Sequence, residues 1–328
     1  MVHDRGLVPA LVALWFNYAP GTWPDWKNEA DRHPMNRDQA QRYGRYLAGR
    51  YGAFGSVWLV SGDTNYCEDD DKALAVYEAA AAAIADGVTH PLCTTHIVGG
   101  QATPDHVLEQ GWVDFHLYQS SHVTDLERPV QLAETCASAG DRPVINGEPP
   151  YERHGYFDDP GREISRSTVR KAAWLSVFTG ASAGVTYGGH GVWQWHRDGE
   201  RFDGADRIGM PVNWERALEF PGSRDYGNLR RFLERFTWSS LQPAQELLVD
   251  PDPLVRAVRL PGDGLLLVYV AEPTTVELVS SVSPPISSQW IDPVSWRARN
   301  AAYDSNGGEL VFSSHPWTGD GVLIITNC

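Results

Sequence analysis

The chain lacks the usual marks of a protein that meets nucleic acid, a lipid surface or a metal. Of its 328 residues, 27 are Lys or Arg against 42 Asp or Glu, a formal net charge of −15. It therefore lacks the basic excess with which phosphate backbones and anionic membranes are bound, and neither is expected as a partner. No apolar run approaches the ~20 residues that cross a bilayer. The four cysteines, Cys67, Cys93, Cys136 and Cys328, show no Cys-x-x-Cys spacing, which argues against a zinc site and a disulfide framework and for free thiols. There is no His-x-His or His-Glu-x-x-His, so no metal and no cofactor is expected. No Gly-rich phosphate turn follows a strand-like run, which removes the main support for an open doubly wound sheet. The opening MVHDRGLVPALVALWF has too weak a basic region for a secretion signal, and LVPALVALW reads as a strand. As it stands the chain is expected in the cytoplasm, or secreted or periplasmic if its true start lies upstream.

What is present is an alternation of strand-like and helix-like segments. Leu7–Phe16 is a continuous apolar run suited to a strand buried on both faces. After a Trp-, Pro- and Gly-rich loop (Asn17–Pro34), Asn36 opens a helix with Gln39 as its capping-box partner, and Ala40, Tyr43, Leu47 and Tyr51 share one face. Strands are expected at Ser56–Val60, Pro91–Val98, Val113–Gln119, Pro143–Gly147 and Gly184–Tyr187, and helices at Asp71–Asp86, Glu127–Ala139 and Ser167–Phe178. Gly87 and Gly140 stop the first two of these helices. This order predicts an α/β fold with a parallel sheet. A (β/α) barrel uses roughly 31 residues per unit, which leaves room for about six units rather than eight. The expected fold is thus a (β/α)8 barrel of the TIM type over residues 1–238, lacking its first two strand–helix units. Exposed edges beside the third and eighth strands would invite oligomerisation. Beyond Trp238 helical periodicity stops, and short segments at Val255–Leu260, Leu265–Val270, Val276–Val279, Glu309–Phe312 and Val322–Thr326 predict a small β-sandwich over 239–328, with Ala217–Arg235 as a helical bridge to it.

Two of the strands end in carboxylates. Asp63 follows Val57-Trp58-Leu59-Val60, and Glu148 follows Val144-Ile145-Asn146-Gly147. An acid at the C-terminal end of a barrel strand stands where barrel enzymes carry out their chemistry, and a facing pair of carboxylates is the working part of most glycosidases. The 13 tryptophans suit sugar rings, which stack on aromatic faces, though core packing accounts for most tryptophans.

The segments RYGRYLAGRYG, VWLVSGDTNY, DFHLYQSSH, RPVINGEPPYE and GVTYGGHGVWQW resemble the apiosidase-like glycoside hydrolases, family 140 and its relatives. The tail around Trp290-Ile291-Asp292-Pro293 resembles the collagen-binding-type β-sandwich that follows the barrel there. The resemblance implies a barrel with two catalytic carboxylates, the Asp of the SGD motif at Asp63 and the Glu of the NGE motif at Glu148. It implies a carbohydrate substrate, an apiose-like or related terminal sugar on plant polysaccharide side chains. Counting two missing strands, Asp63 ends strand four and Glu148 strand seven. By analogy with other barrel glycosidases this is the retaining arrangement, whose carboxyls stand about 5–5.5 Å apart, with Asp63 as acid/base, its pKa raised, and Glu148 as nucleophile.

Around them, Asn65, His96, Tyr118, Gln119, His122, Tyr151, His190 and Trp193 lie at or just beyond strand ends and are expected to line the pocket. His122 and His190 are suited to bonding sugar hydroxyls or orienting a carboxylate. Glu152, on the far side of Pro149-Pro150, is the runner-up acid. Two alternatives stay open: a non-catalytic carbohydrate-binding or scaffold relative that has lost part of its barrel, and a metal-dependent barrel hydrolase.

Overall fold

The computed structural model of the chain describes residues 3–20, 33–66, 71–250 and 252–326. Most of the expected loop Asn17–Pro34, and both Cys67 and Cys328, lie outside the described residues. The chain divides into two compact units, Met1–Gln119 with Thr135–Gly147, and Ser120–Glu134 with Glu148–Cys328.

The first unit is built on parallel strands. Strand β1 (Ala10–Trp15) pairs with β2 (Val57–Gly62), Leu11 opposite Trp58, and β2 pairs with β3 (Leu92–Thr94), Leu59 opposite Thr94. Helix α1 (Arg37–Tyr51) lies between β1 and β2 in sequence, and α2 (Asp71–Gly87) between β2 and β3. The capping box at the start of α1 forms: Gln39 N–H donates to Asn36 Oδ1 at 2.9 Å, and Asn36 N–H to Gln39 Oε1 at 2.8 Å. The Ala-rich α2 buries Ala79, Ala80, Ala81 and Ala83, and these small side chains let α1 approach closely. Trp58, Val60, Leu14, Tyr77 and Ile84 form one core between strands and helices.

Strand β3 is shorter than Pro91–Val98 because its regular pairing with β2 lapses after Thr94 and resumes only at the parallel bridge of Ile97 with Thr64. A four-residue helix α3 (Asp105–Leu108) precedes β4 (His116–Gln119), which pairs with β5 (Val144–Glu148). The expected strand from Val113 starts three residues late. Asp114 instead turns its carboxylate back to accept the Cys93 N–H at 2.7 Å, while its own N–H donates to the Cys93 carbonyl at 2.8 Å. The alternation of His116 and Tyr118 with apolar neighbours does not mark a wetted face. All four residues of β4 are buried, so the polar positions point into the interior. Cys93 and Cys136 are free and buried, and burial pushes each thiol up to about 12, as inert structural cysteines require.

Between β4 and β5 runs α4 (Arg128–Ser138). In the second unit α5 (Arg166–Thr179) starts at Ser165, whose side chain accepts the Thr168 N–H, and every residue from Val169 to Thr179 is buried. Two-residue β6 (Gly184–Val185) and the short helices α6 (Ala205–Ile208) and α7 (Trp214–Ala217) follow, then α8 (Pro221–Leu233). The expected continuous helix Ala217–Arg235 is broken because Pro221 supplies no N–H and starts a new helix at its N1 position.

The remainder is antiparallel. It comprises β7 (Gln242–Pro243), β8 (Val255–Leu260), β9 (Leu265–Val270), β10 (Val276–Leu278), β11 (Ser287–Ile291), β12 (Ala298–Asn300), β13 (Tyr303–Asn306), β14 (Glu309–Phe312) and β15 (Gly321–Thr326). One sheet has the order β12-β11-β15-β9-β8-β7 and the other β10-β14-β13. Val268, Trp290 and Leu323 of the first share a core with Val276, Leu310 and Phe312 of the second.

The opposite face of the larger sheet is joined to α5 and α8. Trp174 stacks on Tyr269 at 5.4 Å between centroids, and Phe178, Phe232, Leu267 and Ile324 close around them. Inside this layer Arg170 donates to Asp320 on one side, at 2.7 Å, and to Asp225 of α8 on the other, at 2.9 Å. Both carboxylates are almost fully buried, and Tyr269 Oη also donates to Asp320. Breaking a buried pair from one side leaves an uncompensated charge, at a cost of about 3–5 kcal/mol. Asp320→Asn should therefore lower unfolding stability by about 3 kcal/mol in urea titration. Tyr303→Ala, half-exposed on edge strand β13, should move it by less than about 1 kcal/mol.

Candidate active site

In the first unit the site residues gather just past the C-terminal ends of the parallel strands. β2 ends at Gly62 and the next residue is Asp63, held at φ 49°. A non-glycine residue rarely adopts this left-handed conformation, and where it persists its surroundings hold it. Gln119, the last residue of β4, donates from Nε2 to Asp63 Oδ1 at 3.1 Å. The Asp63 N–H points at His96 Nδ1 at 3.5 Å, and the same nitrogen lies 3.8 Å from Oδ1. The His96 proton then belongs on Nε2, facing away from Asp63. The Asp63 side chain keeps 18% of its surface exposed, enough to meet a ligand.

Trp15 completes this group. It ends β1 as Gly62 ends β2, is one third exposed, and its ring centroid is 6.1 Å from that of His96. Position 62 must be glycine for this, because a Cβ there would stand 2.1 Å from the Trp15 ring. Trp15 carries no functional signal in the sequence, because it sits inside the apolar run Leu7–Phe16, which reads as core strand. Asn65 is half-buried beyond the Thr64 bridge. Tyr118 is fully buried within β4, a placement that suits support of its neighbour Gln119 better than contact with a ligand.

In the second unit the centre is Glu148, the last residue of β5, with 16% of its side chain exposed. His122 Nδ1 accepts the Tyr151 N–H at 3.3 Å, so its proton sits on Nε2 and is donated to Glu148 Oε1 at 3.1 Å. The ring of His122 packs on Tyr151 at 4.6 Å, on His154 at 4.1 Å and edge-on to Phe157 at 5.4 Å. Gly188 makes room for this: a Cβ there would meet the Tyr151 ring at 1.9 Å.

Behind His122, His154 donates from Nδ1 to the Gly155 carbonyl at 2.6 Å and packs against His190 at 5.1 Å. His190 donates from Nε2 to Gly209 O at 2.9 Å and accepts from Gln194 at 2.7 Å. His190 therefore reaches the site through His154, while Trp193 is half-exposed beyond it, 6.4 Å from the His190 ring. His154 carried no signal in the sequence; one histidine in a loop is indistinguishable from any other.

Glu152, the runner-up acid, is structural. It is buried, and its Oε2 accepts the Tyr187 hydroxyl at 2.7 Å and the Gly222 N–H in the first turn of α8 at 2.8 Å. Its main chain bonds to Gly188 and His190 on both sides. Burial, then the bond to Glu152, pushes the Tyr187 hydroxyl well up from its ordinary value.

The family model described as "Apiosidase-like, catalytic domain" matches residues 1–240. The chain belongs to the apiosidase-like family. It is a glycoside hydrolase, and carbohydrate is its substrate class. No curated protein matches it. Among solved structures, one named "Glycoside hydrolase" is similar at 24% identity and a TM-score of 0.82, covering 99% of this chain and 74% of that one. A family 5 glycoside hydrolase from Bacteroides vulgatus is similar at 23% identity and TM-score 0.82, covering 99% and 71%. A family 27 β-L-arabinopyranosidase from Geobacillus stearothermophilus is similar at 10% identity and TM-score 0.58, covering 100% and 76%. These likenesses show a TIM-barrel-like fold. Among the described residues no helix is long and apolar enough to cross a membrane.

The histidine layer under Glu148 has a pH signature. Burial first, then the neighbouring His122, lowers the His154 pKa from 6.5 to about 2. The unfolded chain binds a proton at this residue below about pH 6.5 and the folded chain does not, so folding loses stability as pH falls below that value. The loss at pH 5 is about 2 kcal/mol from this residue alone. The melting temperature should fall between pH 7 and pH 5, and His154→Phe should flatten that slope; an unchanged slope would show the ring is protonated in the fold.

Proposed function

We propose that the chain is a retaining glycosidase that removes a terminal, apiose-like sugar from plant polysaccharide side chains, with Asp63 as acid/base and Glu148 as nucleophile. The observation that carries this reading is the setting of Glu148. It ends a strand, remains partly exposed, and accepts a hydrogen bond from a histidine whose other nitrogen is already occupied. A neutral donor aimed at a carboxylate favours the ionised, oriented form that a nucleophile needs. Asp63 is supported by its position directly after β2 and by Gln119, which donates to one carboxyl oxygen and orients the group. In the proposed reaction Glu148 attacks the anomeric carbon while Asp63 gives its proton to the departing oxygen. Water, deprotonated by Asp63, then releases the sugar from Glu148 with the configuration it began with. His96 and Trp15 are proposed as sugar contacts on the Asp63 side, Asn65 beside them, and Tyr151 as a contact on the Glu148 side.

The same reading takes β1 to β6 as strands of a (β/α)8-type barrel within residues 1–238, and residues 239–328 as a β-sandwich domain.

Two variants separate the roles. Glu148→Gln should abolish turnover of both poor and good leaving groups, by at least about 10³-fold. Asp63→Asn should lose about 10²–10⁴-fold on a natural glycoside and far less on an aryl glycoside whose leaving group needs no proton. Equal losses on both substrates for Asp63→Asn, or first-formed product of inverted configuration by NMR, would overturn the assignment.

A further inference from the structure

The loop after β6 carries a pair of rings that the reaction does not use. Trp195 and Trp214 lie parallel, 4.2 Å between centroids with 9° between planes, and Trp195 is 54% exposed. A large aromatic side chain that exposed is ordinarily mobile, but this one is held. Trp195 adopts φ 54°, a conformation bulky residues avoid. Its own N–H donates to Val192 O and the next residue's to Gly191 O, both at 3.0 Å. The Trp214 N–H donates to His196 O at 2.8 Å, tying the second ring to the same loop, and Asn213 fixes the start of α7 by accepting the Glu215 N–H. Backbone that holds a bulky ring against its preference, with one face left in water, prepares that face for a partner.

The chemistry around the pair says which partner. Close to it in sequence, Arg216 pairs with Asp198 at 2.6 Å and Arg201 with Asp203 at 2.6 Å. The exposed face of Trp195 is a flat apolar plane, which matches the C–H face of a pyranose ring. On the same loop Trp193, also half-exposed, leads through His190, His154 and His122 to Glu148. We propose that Trp195, backed by Trp214, is a glycan-binding platform that holds a sugar ring of the polysaccharide chain away from the bond being cleaved. The proposal rests on the glycosidase reading only for the class of ligand.

The test uses the full chain carrying Glu148→Gln, so that binding is read without hydrolysis. Mobility is measured in native gels containing soluble pectin, arabinoxylan or galactan. At least one polymer should retard the protein, and Trp195→Gly should restore the mobility seen in a polymer-free gel. Trp195→Phe, which keeps a ring, should stay retarded. Because glycine tolerates φ 54°, Trp195→Gly should keep a cooperative thermal transition, which excludes unfolding as the cause. No retardation by any of the three polymers, or equal retardation of the parent and Trp195→Gly, overturns the platform. The glycosidase reading is judged apart, by hydrolysis of small aryl glycosides with native Glu148. Hydrolysis without retardation removes the platform alone, and retardation without hydrolysis leaves it standing.

Discussion

A buried arginine holds the second unit together. Arg170 lies in the part of α5, Val169–Thr179, in which every residue is buried, and its guanidinium is divided between Asp225 of α8 and Asp320 at the entry to β15. A single charge in that layer would be costly; two carboxylates and a tyrosine hydroxyl supply what water would have given. Planar, bidentate geometry makes the joint directional, so α5, α8 and the larger antiparallel sheet meet in one register, whereas apolar packing alone tolerates sliding. The stacked Trp174 and Tyr269 fill the space beside it.

The histidines near Glu148 show how burial and hydrogen bonding divide the work. Each has one ring nitrogen committed to a main-chain group: His122 accepts from Tyr151, His154 donates to Gly155 and His190 donates to Gly209. Committing one nitrogen fixes the proton on the other or removes it from use, so the layer is neutral and its tautomers are set by backbone. Burial acts in the same direction, lowering His154 and His190 from the usual imidazole range. Only His122 turns its remaining proton toward a carboxylate.

Much of this was legible because strand ends and caps are local signals. Asn36 and Gln39 announce α1 by side-chain chemistry, and Asp63 and Glu148 follow apolar runs too short to be anything but strands. The misses have physical reasons. Edge strands β12 and β13 are exposed along their whole length, so no buried face imprints an apolar alternation on them. Asp114 reads as strand because its neighbours do, yet its carboxylate is used to cap β3. Glu148 ranks above Glu152 in the sequence because it ends a strand and Glu152 lies past Pro149-Pro150, but the partners of each, His122 for the first and Tyr187 and Gly222 for the second, are visible only in three dimensions.

The clamp at Glu152 bears on how this family could change what it accepts. One carboxylate fastens the segment after β5 to the segment after β6 and to the head of α8, so an insertion between Pro149 and His154 would have to be accommodated at three places at once. The stretch from Trp193 to Asp203 is tied by main-chain bonds around Trp195 and His196, and carries exposed aromatic side chains and the Arg201–Asp203 pair. A change of length in the Pro149–His154 turn therefore disturbs three segments together, whereas one between Arg197 and Asp203 leaves the Glu152 contacts in place.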